Sequence, residues 1–147
     1  MMEEKEKAWK TVSSKYLFRR PWLTVRCEDM LLPNGNHIPE YYILEYPDWV
    51  NTIAITKDGK FVFVRQYRPR LGRTSYELCA GVCDKEDASP LVSAQRELWE
   101  ETGYGKGNWQ EYMVISANPS THTNLTHCFL ATNVEPIDHQ HLEDTED

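Results

Sequence analysis

The chain of 147 residues is 40% hydrophobic and 27% charged, which is enough apolar material for one folded domain and excludes a disordered polymer. A net charge of −7 argues against a surface that binds nucleic acid by neutralising its phosphates. The acidity is concentrated at the end of the chain, because residues 135–147 hold six acids and no lysine or arginine.

Short apolar runs between turn residues predict a series of β-strands. The predicted strands are residues 22–27, 29–32, 41–46, 51–56, 61–68, 75–80, 112–117 and 125–131. Residues 33–36 (PNGN) and 57–60 (KDGK) have the composition of tight connections between antiparallel strands. We therefore expect two hairpins in the first half of the chain.

One segment has the signals of a helix. Ser89 is a preferred N-cap, Pro90 suits the first helical position and Gly103 suits the C-terminal stop. The apolar spacing predicts a buried face made of Leu91, Ala94, Leu98 and Thr102. Many strands with one well-marked helix predict an α+β domain with mixed strand pairing.

The C-terminal half of this helix carries an acidic cluster. Glu97 and Glu101 are four residues apart and Glu100 borders the same face, so like charges are neighbours near the negative end of the helix dipole. A solvated acidic face is one explanation. A bound divalent cation is the other, because Mg²⁺ and Mn²⁺ take carboxylate oxygens and leave positions open for substrate phosphates. Arg96 can pair with a neighbouring acid and hold its orientation.

Residues 96–104 (RELWEETGY) resemble the core of the Nudix box, R-E-U-x-E-E-x-G-U, where U is a bulky apolar residue. Upstream, residues 77–81 (ELCAG) resemble the E-[LF]-P-A-G segment of ADP-ribose-type members, and residues 61–69 (FVFVRQYRP) resemble the strand before it. The similarity in pattern runs from about Trp22 to the end of the chain. The resemblance implies a mixed β-sheet with a central catalytic helix in an α/β/α sandwich, preceded by an N-terminal antiparallel strand extension.

The sequence departs from the box in one loop. The box expects a glycine and a glutamate at the positions that Val82 and Ala88 occupy here. Gly81 and Asp87 come into line if one residue has been inserted between positions 82 and 88. The loop-side acid is therefore either Asp87 or missing, and we expect metal binding to be weakened rather than abolished.

By resemblance, the chain is a Mg²⁺- or Mn²⁺-dependent hydrolase that splits a nucleoside diphosphate sugar, ADP-ribose first, into a nucleoside monophosphate and a sugar phosphate. The metal-binding residues that the resemblance implies are Glu97, Glu100, Glu101 and the carbonyl of Ala80. The catalytic residues that it implies are Arg96, Glu100, Glu101, Asp144 and Glu146. Two alternatives stay open: a Nudix hydrolase of another nucleoside diphosphate derivative, and a non-catalytic Nudix-fold module that binds a nucleotide.

Asp144 and Glu146 are candidates for the catalytic base, which ADP-ribose-type members take from an acidic loop late in the chain. A solvated end of the chain is the alternative interpretation of these acids. Because such members continue past this loop with a strand and a helix, we expect this chain to be truncated at its C-terminus.

The substrate-binding residues implied by the resemblance lie upstream of the helix. Trp22 would stack on adenine, with Tyr41 as its counterpart, and the alternative for Trp22 is a place in the core. Arg68 would meet the diphosphate, and the alternative is a surface salt bridge. Glu77, which opens the ELCAG segment, completes the predicted substrate-binding set.

The expected organisation has two parts. Residues 1–46 would form N-terminal strands for dimerisation and contact with the substrate base, and residues 47–147 would form the hydrolase domain. We expect a homodimer with a small-molecule substrate and neither a nucleic-acid partner nor a membrane partner. The charged N-terminus lacks the apolar core of a signal peptide, and the four cysteines form no CxxC pair. We therefore expect free thiols and a cytoplasmic location.

Overall fold

The structure, a computed structural model, describes residues 7–142, and these fall into two compact units. The first unit contains the residues up to 46 together with residues 116–124. The second contains residues 47–115 and those from 125 onward. Among the described residues, the first unit has one sheet, and the second has a six-stranded sheet and a two-stranded sheet.

The first unit is built on a three-stranded antiparallel sheet of order β1-β2-β3. Its strands are β1 (Lys10–Arg20), β2 (Leu23–Leu31) and β3 (His37–Glu45). The predicted hairpin at residues 33–36 is confirmed, with Gly35 in the turn at a φ of 86°. The predicted N-terminal antiparallel extension is also confirmed. The sequence prediction missed β1, because all of its residues are exposed and burial therefore imposes no alternating pattern on them.

The second unit contains the remaining elements. They are β4 (Trp49–Thr56), β5 (Phe61–Val62), β6 (Val64–Arg68), β7 (Arg73–Glu77), β8 (Cys79–Val82), α1 (Pro90–Thr102), β9 (Tyr104–Gly105), β10 (Asn108–Ile115) and β11 (Thr126–Pro136). The main sheet has the order β10-β11-β4-β5, with β8 also paired to β4 and β9 to β11. Because β11 and β4 are parallel while the other pairs are antiparallel, the predicted mixed sheet is confirmed.

The core of this unit lies between the main sheet and α1. Every second residue of β4 is buried, and Ala54 packs in one cluster with Leu98 of α1 and Ala131 of β11. A second cluster joins Val50 to Ala94 of α1. The buried residues of β4, which alternate along the strand, therefore pack against the apolar face of α1. This packing fixes the rotation of α1 about its axis.

The bounds of α1 agree with the capping signals. The Ser89 side chain accepts a hydrogen bond from the Val92 backbone N–H, Pro90 opens the helix, and Gly103 ends it at a φ of 71°. The predicted buried face is only partly correct, because the buried residues are Ser93, Ala94, Leu98 and Glu101. Leu91 is exposed and Thr102 is half-buried, since both lie at the edge of the stripe that faces the sheet.

Two further expectations concern the helices and the thiols. Within residues 7–142, α1 is the only helix, so the second helical layer of the expected α/β/α sandwich is not among the described residues. With 13 residues, α1 is too short to span a bilayer, and no other described segment is a long apolar helix. The four cysteines are free, as predicted.

Candidate active site

The C-terminal half of α1 lies beside β8, and three consecutive residues of that strand meet it. The Ala80 backbone N–H donates to Glu101 Oε2 at 3.3 Å, and the Val82 carbonyl accepts from Arg96 Nη2 at 3.1 Å. Between them, a Cβ at Gly81 would stand 2.1 Å from Cδ of Glu97. The Glu97 carboxylate therefore fills the space that only a glycine leaves open.

Arg96 is the centre of an ion-pair network. Its Nη1 lies 3.0 Å from Glu97 Oε1 and 2.8 Å from Glu100 Oε2. Its Nε and Nη2 each lie 3.1 Å from Asp87 Oδ2, and Nη2 lies 3.3 Å from Asp84 Oδ2. One guanidinium thus faces four carboxylates, which leaves the cluster negative as a whole. Burial acts to lower the pKa of Arg96, but hydrogen bonds to Glu100 and Asp87 outweigh it and raise the pKa.

The same network identifies the loop-side acid. Of the two alternatives, the shifted Asp87 is the one that the structure supports, because Asp87 bonds to Arg96 through two nitrogens. Burial acts to raise the pKa of Asp87, while the neighbouring Ser93 hydroxyl and the hydrogen bonds from Arg96 lower it below its usual range. Asp87 therefore anchors the loop to the helix through Arg96.

Glu101 connects the helix to a cavity of about 260 Å³. The lining residues are Phe63, Val64, Arg65, Gln66, Glu101, Gln140 and Leu142. Glu101 is only 8% exposed. Burial and then the nearby Glu101 charge raise the pKa of the Cys79 thiol, which is therefore uncharged. Glu101 of α1 and residues 63–66 therefore face the same cavity.

Three polar lining residues, Arg65, Gln66 and Gln140, were missed by the sequence analysis. Arg65 was not singled out from the sequence, although it lies in the FVFVRQYRP segment that carries part of the resemblance. Gln140 follows β11, and its Nε2 donates to the Glu101 carbonyl at 2.7 Å. No local pattern marks Gln140, because its partner lies 39 positions away along the chain.

The donor set fits a hard divalent cation. The three glutamates and the carbonyl of Ala80 all offer oxygen, the ligand type that Mg²⁺ and Mn²⁺ prefer. Two observations place these groups together: Arg96 bridges Glu97 to Glu100, and the Ala80 backbone bonds to Glu101. The space that Gly81 leaves open lets the Glu97 carboxylate lie against β8, next to Ala80.

Arg68 and Glu77, two predicted substrate-binding residues, contact each other. Arg68 Nη2 lies 2.6 Å from Glu77 Oε2 across the antiparallel pair β6-β7. The hydrogen bond from Arg68 lowers the pKa of Glu77. The surface salt bridge considered for Arg68 is therefore present.

Trp22 and Tyr41 belong to the first unit and are not neighbours within the chain. Tyr41 stands opposite Glu28 in the β2-β3 register, six residues from Trp22, which corresponds to about 20 Å along a strand. Trp22 is 81% exposed, so its alternative place in the core is wrong. The Tyr41 ring packs edge-on against Trp9, and its hydroxyl donates to the Ser120 carbonyl.

Asp144 and Glu146, the predicted candidates for the base, lie outside the described residues.

Comparison with family models and known proteins agrees with this architecture. A model described as the nucleoside diphosphate sugar hydrolase N-terminal domain matches residues 9–44, and one described as the NUDIX domain matches residues 46–147. A solved structure titled as that of an ADP compounds hydrolase has a TM-score of 0.80 over 92% of this chain and 73% of its own, at 22% identity. At this identity the likeness shows the fold.

Curated relatives share up to a third of their aligned residues with this chain. An ADP-ribose pyrophosphatase of Bacillus subtilis is 32% identical over 129 residues, which is 88% of this chain and 69% of the relative. A methanol dehydrogenase activator of Bacillus methanolicus is 33% identical over 83% of this chain and 65% of the relative. An ADP-ribose pyrophosphatase of Mycobacterium tuberculosis is 28% identical, over 90% and 63% respectively. The chain therefore spans about two thirds of the length of these relatives.

Proposed function

The chain belongs to the Nudix family of pyrophosphohydrolases, and we propose that it hydrolyses the diphosphate of a nucleoside diphosphate sugar, with ADP-ribose as the first candidate. The observation that carries this proposal is the arrangement of Glu97, Glu100 and Glu101 around Arg96 and β8, with Glu101 opening onto a cavity. The likeness to two ADP-ribose pyrophosphatases supports the choice of substrate.

Glu97, Glu100, Glu101 and the Ala80 carbonyl would hold Mg²⁺ or Mn²⁺. When bound, such ions neutralise the diphosphate and activate the attacking water. The chain's own contribution is to keep several carboxylates close together. Arg96 holds Glu97 and Glu100 in position, and the Ala80 N–H orients Glu101. Gly81 leaves Glu97 the room to lie against β8.

Arg65 is the side chain that we assign to the phosphates, because it lines the same cavity as Glu101. Its guanidinium can donate two parallel hydrogen bonds to phosphate oxygens. Arg68 is already paired with Glu77, so its part in binding would require it to share its donors with that acid. Phe63 supplies an apolar surface at the cavity wall.

The base and the adenine contact complete the proposal. Asp144 and Glu146 follow Leu142, which lines the cavity, by two and four residues, and this short sequence distance supports them as candidates for the base. Trp22 would stack on adenine, for which its exposure supplies a free ring face. Residues 1–46 would serve dimerisation and base contact in a cytoplasmic homodimer, and residues 47–147 would carry the chemistry.

Incubation with a panel of nucleotide sugars and Mg²⁺ tests this function. The wild type is expected to release a nucleoside monophosphate and a sugar phosphate, and Glu101→Gln, which keeps the shape but loses the charge, is expected to lose at least about 100-fold in rate. Cleavage of another diphosphate derivative in preference to ADP-ribose would show that the substrate is that derivative and not ADP-ribose. Tight nucleotide binding without cleavage would instead show a binding module and contradict the proposed activity.

A further inference from the structure

A second group of metal-ligating side chains lies just after β11. Asp138, His139 and His141 each offer one ligand atom, and these three atoms lie within 4.8 Å of one another. None of the glutamates of the candidate active site belongs to this group. The group also differs in chemistry, because two of its three donors are imidazole nitrogens.

Both histidine side chains contact the carboxylate of Asp138. His139 Nδ1 lies 2.7 Å from Asp138 Oδ1, and His141 Nε2 lies 3.0 Å from Asp138 Oδ2. The two imidazole rings lie side by side, with centroids 4.4 Å apart. Ligands of a tetrahedral zinc ion with bonds of about 2.0–2.1 Å are about 3.3 Å apart. The two separations from Asp138 are shorter than this spacing, and the ligand atoms of His139 and His141 lie within 4.8 Å of each other, so the side chains of Asp138 and His139 would rotate to surround an ion.

The group is held against the end of α1 by several backbone contacts. The His141 N–H donates to the Glu100 carbonyl at 2.8 Å, and the Asp138 N–H donates to the Gly103 carbonyl at 3.2 Å. The His141 ring also packs on Trp99, with centroids 4.2 Å apart. Because these contacts fix the backbone on both sides of His139, little chain entropy remains to be lost when an ion binds.

The surroundings favour a cation. This segment covers the C-terminal end of α1, where the helix dipole is negative, and the last turn of the helix contains no basic residue. A cation at this end would therefore gain from the dipole as well as from the Asp138 carboxylate.

We propose that Asp138, His139 and His141 bind a divalent first-row transition ion of the zinc type. Imidazole nitrogen suits zinc, copper and nickel, whereas Mg²⁺ prefers oxygen ligands. The chain thus carries two sites of different ligand chemistry beside one helix: an oxygen site along its side and a nitrogen-rich site next to its C-terminal end. With three protein ligands, the second site keeps a fourth position open.

An ion bound at this site would also affect the cavity, through Gln140. Gln140 stands between the two histidines, donates to the Glu101 carbonyl and lines the cavity. An ion held by its neighbours would therefore fix the chain segment that forms one wall of the cavity.

Zn²⁺ titrated into the chelator-treated full chain, with Mg²⁺ in excess, is the direct probe. Calorimetry is expected to show one Zn²⁺ bound by the wild type, at least about tenfold weaker binding by His139→Ala, and no binding at this site by His139→Ala/His141→Ala. His37→Ala is the matched control, because His37 also pairs with a carboxylate, Asp29, at 2.8 Å. Circular dichroism confirms that each variant is folded.

Two further measurements locate the ion. Ni²⁺ held by His141 is expected to quench the fluorescence of Trp99, and this quenching should be absent from Trp99→Phe. Glu97→Gln is expected to lose hydrolysis but to keep Zn²⁺ binding, so that failure of the proposed function and failure of this site are distinguishable. Zn²⁺ binding of unchanged stoichiometry and affinity in the double histidine variant would overturn the proposal and point to the cysteine thiols.

Discussion

The carboxylate of Glu97 occupies the volume that a side chain at position 81 would need. A Cβ built on Gly81 would lie 2.1 Å from the Glu97 carboxyl carbon and 2.2 Å from Oε1. The two residues are 16 positions apart in the chain and meet because β8 runs beside α1. Position 81 therefore needs a glycine because the Glu97 side chain of α1 occupies the adjacent space, and not because the backbone turns there.

Gly81→Ala tests this relationship. Glu97 can swing away because its carboxylate is the end of a flexible side chain, so the fold should survive, with a change in melting temperature of less than about 3 °C. Metal-dependent hydrolysis should fall about 10- to 100-fold, since a predicted ligand is displaced. Metal titrations and activity assays with Thr74→Ala, an exposed strand substitution, provide the comparison. Full activity of Gly81→Ala would show that the position of Glu97 is unimportant.

Arg96→Lys tests whether the shape of the guanidinium matters. Lysine keeps the charge but cannot reach four carboxylates from one planar group, so we expect a loss of about 1–2 kcal/mol in the free energy of unfolding. The matched control is Arg68→Lys, whose pair with Glu77 is more exposed and should cost less than about 1 kcal/mol. Urea denaturation of both variants measures the difference. Equal losses in the free energy of unfolding would mean that the ion-pair network of Arg96 stabilises the fold no more than the single pair of Arg68.

Asp87→Asn tests the assignment of the loop-side acid and its pH dependence. Folding lowers the pKa of Asp87 below the ordinary value of 3.8. Its contribution to stability is therefore complete above pH 3.8 and disappears as the pH falls through the lower pKa of the folded state. We expect Asp87→Asn to be less stable than the wild type at pH 7 and the difference to shrink in acid.

Asp84→Asn is the control for that experiment, because Asp84 contacts the same guanidinium at 3.3 Å but is more than half exposed. Its effect at pH 7 should be below about 0.5 kcal/mol. If Asp84→Asn were the more damaging substitution, Asp84 would be the better candidate for the loop-side acid.

Arg65→Ala tests the phosphate contact assigned to the cavity. Loss of a charge-assisted hydrogen bond worth about 1.5–3 kcal/mol should raise KM for ADP-ribose by roughly 10- to 150-fold, with stability unchanged because Arg65 is exposed. Arg68→Ala, measured beside it, should raise KM less, since Arg68 is engaged by Glu77. If Arg68→Ala raised KM more than Arg65→Ala did, Arg68 would be the better candidate for the phosphate contact.

Local features of the fold were predictable from the sequence because their causes are local. Ser89, Pro90 and Gly103 set the ends of α1 through capping and backbone conformation, which involve residues a few positions apart. The turn at Gly35 was predictable for the same reason. The exposed strand β1 was not, because its pairing with β2 leaves no burial pattern in its residues.

The amino-acid sequence by itself determined the helix, the three glutamates on it and the family to which they point. Only the tertiary structure decided that Asp87 reaches Arg96, that Arg65 and Gln140 share a cavity with Glu101, and that Arg68 is paired with Glu77. The physical reason is the range of the interactions. Spacing along one helix is encoded by residues three and four apart, whereas the bond from Ala80 to Glu101 spans 21 positions and the one from Gln140 to Glu101 spans 39. Such contacts exist only after the strands have paired and packed against the helix.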